Sequence, residues 1–164
     1  MKEISNRMKM GIGSLLLGCL MLTGCASGPR FTAAPAPAPD KALVYVYRKS
    51  SFVGSAGYDK LYINGHFVAR IYTGGYVPYE VSPGTVSFAL NPKAEIIPGD
   101  VLVAALSNLD QTKYEKLRIE AEAGKTYYVN LYTQFIGHGM KLVDEAIGAK
   151  EIGSLKLSET EKAE

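Results

Sequence analysis

From residue 41 onward the chain alternates short apolar or β-branched runs with small turn residues, a spacing that predicts strands rather than helices. Residues 41–49 (KALVYVYRK) carry apolar side chains on both faces, as a central strand covered on both sides does. Two further runs, 59–63 and 66–71, flank Asn64-Gly65. That pair is favoured in two-residue hairpins because both turn positions need positive φ. The expected register sets Ile63 opposite His66, Leu61 opposite Val68 and Asp59 opposite Arg70 on one face. Tyr62 and Phe67 pair on the other. Asp59 and Arg70 would then form an ion pair at the open end, worth under about 1 kcal/mol if exposed.

Gly74-Gly75 ends this hairpin. Residues 76–81 predict a short strand that Pro78 confines to an edge or a bulge. Ser82-Pro83-Gly84 is a turn, followed by 85–90 with Val86, Phe88 and Leu90 on one side. Residues 113–122 alternate most cleanly: Leu117, Ile119 and Ala121 point inward, Lys116, Arg118, Glu120 and Glu122 toward water. In 126–134, Tyr127, Val129 and Leu131 oppose Tyr128, Asn130 and Tyr132. Gly137-His138-Gly139 reads as an exposed turn before a last strand at 140–143. Residues 144–157 predict a short helix with Asp144 as cap and Ile152 and Leu155 on one face, weakened by Gly148 and Gly153. Residues 158–164 read as a charged, frayed tail. For 91–111 a strand and a helix capped by Asp100 both fit, and the apolar run 101–106 is either core or a docking patch. The expected class is all-β: a β-sandwich of about seven short antiparallel strands over 41–157 with one short C-terminal helix. An open or partly closed barrel is the alternative.

The pattern upstream is different. Lys2, Arg7 and Lys9 precede an uncharged stretch, 11–22, in which eight of twelve residues are apolar. This is the layout of an export signal, and it is too short to span a bilayer as a helix. It ends Leu22-Thr23-Gly24-Cys25, which resembles the lipobox of bacterial lipoproteins. That resemblance implies cleavage between Gly24 and Cys25 and a covalent diacylglycerol, with further acylation, on Cys25. A competing box at Leu16-Leu17-Gly18-Cys19 puts bulky Leu17 where a small residue is preferred. Ala26 and Ser27, rather than Asp, follow Cys25, which in two-membrane bacteria implies the outer membrane, facing the periplasm. In a one-membrane host the chain would face the outside of the cell. Residues 25–40, with alternating Ala-Pro, predict a lipidated polyproline tether that could hold the domain roughly 45 Å from the lipid.

Composition then narrows the function. The 164 residues carry 18 Lys+Arg and 16 Asp+Glu. Removing the signal at 1–24 takes three bases and one acid with it, leaving a mature chain of zero net charge. Such a balance argues against a nucleic-acid partner. Two Cys and two His are too few for a Cys/His zinc site unless all converge, so no metal and no cofactor beyond the lipid is expected. With Cys19 lost and Cys25 lipidated, no disulfide is available.

No GxSxG, HExxH, Walker or CxxC motif occurs. His66 and His138 both read as exposed turn residues, and Glu120 and Glu122 as surface charge. No catalytic residue is singled out. The 11 Tyr and absence of Trp are the distinctive feature. Tyr128 and Tyr132 flank Asn130 on one strand face, a surface that could stack sugars or contact a protein.

VYVYR at 44–48, the SFVGS that follows, LYINGHFVARI at 61–71, Pro83-Gly84, AGKTYYVNLY at 123–132 and EIGSLKL at 151–157 occur in an order that resembles the bacterial lipoproteins carrying the domain of unknown function 2846. The resemblance implies an envelope lipoprotein with a β-rich domain and no assigned reaction. The expected function is thus non-enzymatic: a membrane-anchored module that binds another envelope component, protein or glycan. A glycan-binding module using the Tyr128, Asn130 and Tyr132 face is the alternative. A hydrolase would need His, Ser and an acid converging in one pocket.

Overall fold

A computed structural model describes residues 25–51, 57–90, 114–134 and 137–160. The expected export signal, the Gly24 side of the expected cleavage site, the run at 91–111 and the end of the tail (161–164) lie outside the described residues. Among the described residues, ten strands form two five-stranded sheets, with one helix. The strands are β1 (Ala42–Arg48), β2 (Tyr58–Ile63), β3 (His66–Tyr72), β4 (Gly75–Val81), β5 (Gly84–Leu90), β6 (Glu115–Ala121), β7 (Thr126–Thr133), β8 (His138–Val143), β9 (Lys156–Leu157) and β10 (Glu159–Thr160). The helix, α1, spans Glu145–Ile152. One sheet runs β8-β7-β1-β4-β9 and the other β10-β3-β2-β5-β6. The sheets stack as a sandwich and do not close into a barrel. The first sheet is mixed, because β1 pairs β7 in parallel and β4 pairs β9 in parallel.

Strand parity divides the apolar residues between two cores. Val44 and Val46 of β1, Leu61 and Ile63 of β2, Phe88 of β5 and Val129 of β7 fill the space between the sheets. The odd residues of β1, Leu43, Tyr45 and Tyr47, face the other way into a second cluster with Tyr76, Tyr128, Ile152 and Leu155. Helix α1 and the N-terminal segment roof this outer cluster. That roof is the reason β1 is buried at all seven positions. Pro78 sits in β4 beyond Gly75 and Tyr76, the two residues that β9 pairs, so its missing N–H faces no neighbouring strand.

The Asn64-Gly65 hairpin forms as expected, with φ of 50° and 80° at its turn residues. Its register is corrected further along. Ile63 pairs His66 and Tyr62 pairs Phe67, but a bulge between Leu61 and Tyr62 leaves Val68 extra. Leu61 therefore pairs Ala69, and Asp59 pairs Ile71 rather than Arg70. Asp59 is 3% exposed and so belongs to the core rather than the surface.

Both ends of the domain also differ from expectation. Helix α1 stops at Ile152, before Gly153, and the chain continues into β9 and β10. Ser158 is buried at the corner between them, where its N–H donates to the Tyr76 carbonyl. Residues 156–157, expected in the helix, instead add an edge strand to the first sheet, and 159–160, expected in a frayed tail, add one to the second, while Leu155 and Leu157 join the outer cluster.

The Pro/Ala segment is not a free spacer. Ala26 is buried and donates its N–H to the Thr73 carbonyl. Phe31 N–H donates to the Leu155 carbonyl, and the Phe31 ring meets Tyr45 and Tyr76 edge-on at 5.6 and 5.1 Å. Ala34 N–H donates to Tyr45 Oη at 2.8 Å. Exposed aromatic edges and unpaired phenol oxygens on the sheet give this strap something to bind, which its composition did not reveal.

Candidate functional site

Cross-strand register assembles a polar row on the outer face of the first sheet. Tyr47 of β1 lies beside Asn130 of β7, and Asn130 lies beside Lys141 of β8. The neighbouring row, Tyr45, Tyr128 and Val143, is apolar and packs under α1. The helix starts at Asp144, whose carboxylate accepts from Ala146 N–H at 3.0 Å and satisfies an otherwise unpaired helix donor. Its last turn carries Glu151 over the polar row. There Glu151 Oε2 accepts from Tyr47 Oη at 2.7 Å and Oε1 pairs with Lys49 Nζ at 2.9 Å.

Between helix and strands lies a pocket of about 280 Å³ lined by Lys49, Asn130, Lys141, Leu142, Val143, Asp144, Ile147 and Glu151. Its electrostatics follow from the same contacts. Burial first, and the Glu151 hydrogen bond second, push the Tyr47 hydroxyl far above its ordinary range, so it remains a donor. The Tyr47 and then the Lys49 hydrogen bonds hold the Glu151 carboxyl below the usual range. The Asn130 amide lies beside the Tyr47 hydroxyl and slightly offsets its rise. Asn130 is 3% exposed, and its Nδ2 reaches toward the Tyr47 hydroxyl without closing a hydrogen bond of full geometry among the described residues. A buried amide left open in this way costs about 1–3 kcal/mol, unless something else supplies the acceptor.

The expected Tyr-Asn-Tyr face is therefore one face with three environments. Tyr128 is buried, stacked on Tyr45 at 5.3 Å and covered directly by the Gly148 backbone. This corrects the expectation of an open stacking surface there: α1 fills it. Asn130 turns into the pocket. Tyr132 is half-exposed, with its ring against Gly139 and Lys141 Nζ 5.7 Å from the ring centre. Cys25 is exposed with a free thiol and bridges to Thr73 at the head of the strap.

A second polar cluster closes the inter-sheet core. Arg48 has the inward parity of Val44 and Val46, and Asp59 that of Leu61 and Ile63. Arg48 Nη1 donates to Asp59 Oδ2 at 3.2 Å, with both side chains 4% exposed. His138, expected in an exposed turn, instead begins β8 and is half-buried. Its Nδ1 lies 3.1 Å from Asp59 Oδ1 and its Nε2 3.3 Å from Arg48 Nη2. Since guanidinium only donates, Nε2 accepts and Nδ1 donates to Asp59. The Asp-His half of a hydrolytic triad is present, but Nε2 faces a cation rather than a hydroxyl nucleophile, so this imidazole is not set up to activate one. Opposite charges at core-parity positions were the available signal for this cluster. The bulge in β3 was not legible.

Among the described residues no group of three or more His, Cys, Asp or Glu could hold a metal, and no helix is long and apolar enough to cross a membrane. No curated protein and no solved structure matches the chain. A family model described as protein of unknown function (DUF2846) matches residues 38–143, covering β1 through β8 and so both sheets and three strands of the pocket wall. The chain belongs to that family.

Proposed function

We propose that this protein is a lipid-anchored component of the bacterial envelope that works by binding rather than by catalysis, with the pocket beneath α1 as its binding site. The lipobox at residues 22–25 supports the anchor, and the accessible thiol of Cys25 is compatible with it. The observation that carries the binding half is the buried, open Asn130 amide in a pocket that also holds two lysines. Ala26 and Ser27 after the lipidated Cys support an outer-membrane, periplasm-facing address, or the cell surface in a one-membrane host.

Mass spectrometry of the mature N-terminal peptide tests the anchor. The expected peptide begins at Cys25 and carries a diacylglycerol, and Cys25→Ala should move the protein from the membrane to the soluble fraction. An unmodified Cys25 would overturn it. Crosslinking in intact cells tests the binding role through adducts from a photoreactive group near Ile147. Absence of any specific adduct across growth conditions would count against it.

A further inference from the structure

The pocket beneath α1 has more hydrogen-bond donors than it can use. Lys49 is engaged by Glu151, and the Glu151 carboxylate is engaged in turn by Tyr47 and Lys49. Asp144 is occupied in capping the helix. That leaves Asn130 Nδ2, buried and with only a loose approach to the Tyr47 hydroxyl among the described residues, and the Lys141 ammonium. Lys141 meets the Tyr132 ring, and its charge helps to hold the Glu151 carboxyl low from beyond direct ion-pair contact. Asn130 and Lys141 are directly paired across β7 and β8, so the two donors stand on adjacent strands on one face.

We propose that this pocket binds the free carboxylate of a small monocarboxylic ligand, an amino acid or a peptide C terminus, with Asn130 Nδ2 and Lys141 Nζ as the donors. A carboxylate offers two acceptor oxygens on one plane, one for each donor, and a charge that the Lys141 ammonium matches. A phosphate dianion fits less well, because the carboxylates of Asp144 and Glu151 line the same wall and would repel the second charge. The volume, about 280 Å³, is just below the range of pockets that enclose drug-sized ligands, and suits a small acid or the end of a chain. Ile147, 53% exposed, lines the pocket and offers apolar contact to a short side chain.

This inference rests on reading the pocket as the binding site and is independent of the lipid. The full-length ¹⁵N-labelled protein in detergent would be titrated with alanine, alanyl-alanine, alanyl-alanine C-terminal amide and inorganic phosphate. The expected result is a saturable shift of the Asn130 side-chain NH₂ with the two acids, and at least tenfold weaker binding of the amide and of phosphate. Tighter binding of the dipeptide than of alanine would identify a peptide end, and equal binding a free amino acid. Lys141→Gln changes an exposed side chain, should keep the fold, and should weaken both acids at least tenfold. No saturable shift up to about 10 mM, where a millimolar site is near saturation, would overturn the proposal. Equal binding of acid and amide, tighter binding of phosphate, or unchanged affinity in Lys141→Gln would do the same. An unlipidated Cys25 would leave this result standing, and an empty pocket would leave the anchor standing.

Discussion

Truncating Asp59 to Ala removes one carboxylate from the buried Arg48 guanidinium at the closed end of the inter-sheet core. Removing one member of a buried ion pair costs about 3–5 kcal/mol, so the urea midpoint should fall steeply. A loss below about 1 kcal/mol would mean that the Asp59–Arg48 pair is not what holds that end of the core. At Tyr47 and Glu151 the expectation is a dependence on pH. The Glu151 carboxyl is depressed in the folded state, so its contribution is present above the ordinary carboxylate range and is lost as pH falls through it. Tyr47 is raised, so its contribution is present below a tyrosine's ordinary value of 10.0 and declines above it, as the unfolded chain releases a proton that the folded chain keeps. Melting temperature against pH should therefore lose its acid shoulder in Glu151→Gln and part of its alkaline fall in Tyr47→Phe. The remaining alkaline fall would include Tyr128, whose hydroxyl burial also raises. Neither pairing was legible in sequence. Glu151 lies 104 residues from Tyr47, and only the tertiary crossing of α1 over β1 joins them.

Elements were more legible than the contacts between them. The positions of the β2–β3 hairpin, β5, β6 and β7 follow from alternation and turn residues, and that of β1 from an unbroken apolar run that suits a strand covered on both faces. Helix α1 was expected despite Gly148 and the nearby Gly153, but the use of Gly148 was not. A Cβ there would meet the Tyr128 ring atoms directly, so the glycine lets the helix backbone rest on the sheet. Gly148→Ala improves intrinsic helix propensity by about 1 kcal/mol, and in this packing should still destabilise by about 1–3 kcal/mol. Calorimetry showing a raised melting temperature would mean that α1 does not sit against β7. The strands β9 and β10 escaped notice because two residues carry no period. Their place is set by Leu155, Leu157 and Ser158, which are anchored by partners distant in sequence.

For the whole molecule, the sandwich class was readable from strand number and turn spacing, and the mixed pairing of the first sheet was not. Parallel neighbours such as β1 and β7 leave no local mark. The docked strap changes what an anchor would do. With Ala26 bonded to Thr73, a lipid on Cys25 would hold the Thr73 corner close to the membrane rather than a tether's length away. Ser50 shares that end, beside Gly74, and Lys125 lies at the opposite end, where its carbonyl accepts from Leu43 N–H. In reconstituted vesicles a spin label at Ser50 should be relaxed by headgroup-bound paramagnetic ions far more than one at Lys125. Equal relaxation at both sites would show that the strap releases.

The strap also bears on when the domain can finish folding. Its partners, Leu155 and Leu157, come from the far end of the sandwich sequence, so strap and closing strands brace each other across almost the whole domain. Contacts of such long range close the largest loops and are expected to form last. A chain emerging unfolded would complete both sheets' inner strands while residues 25–34 still hung free. Cys25, whose thiol stays exposed in the finished fold, would thus have a kinetic window, open until β9 arrives, in which the backbone beside it is also free of its bond to Thr73.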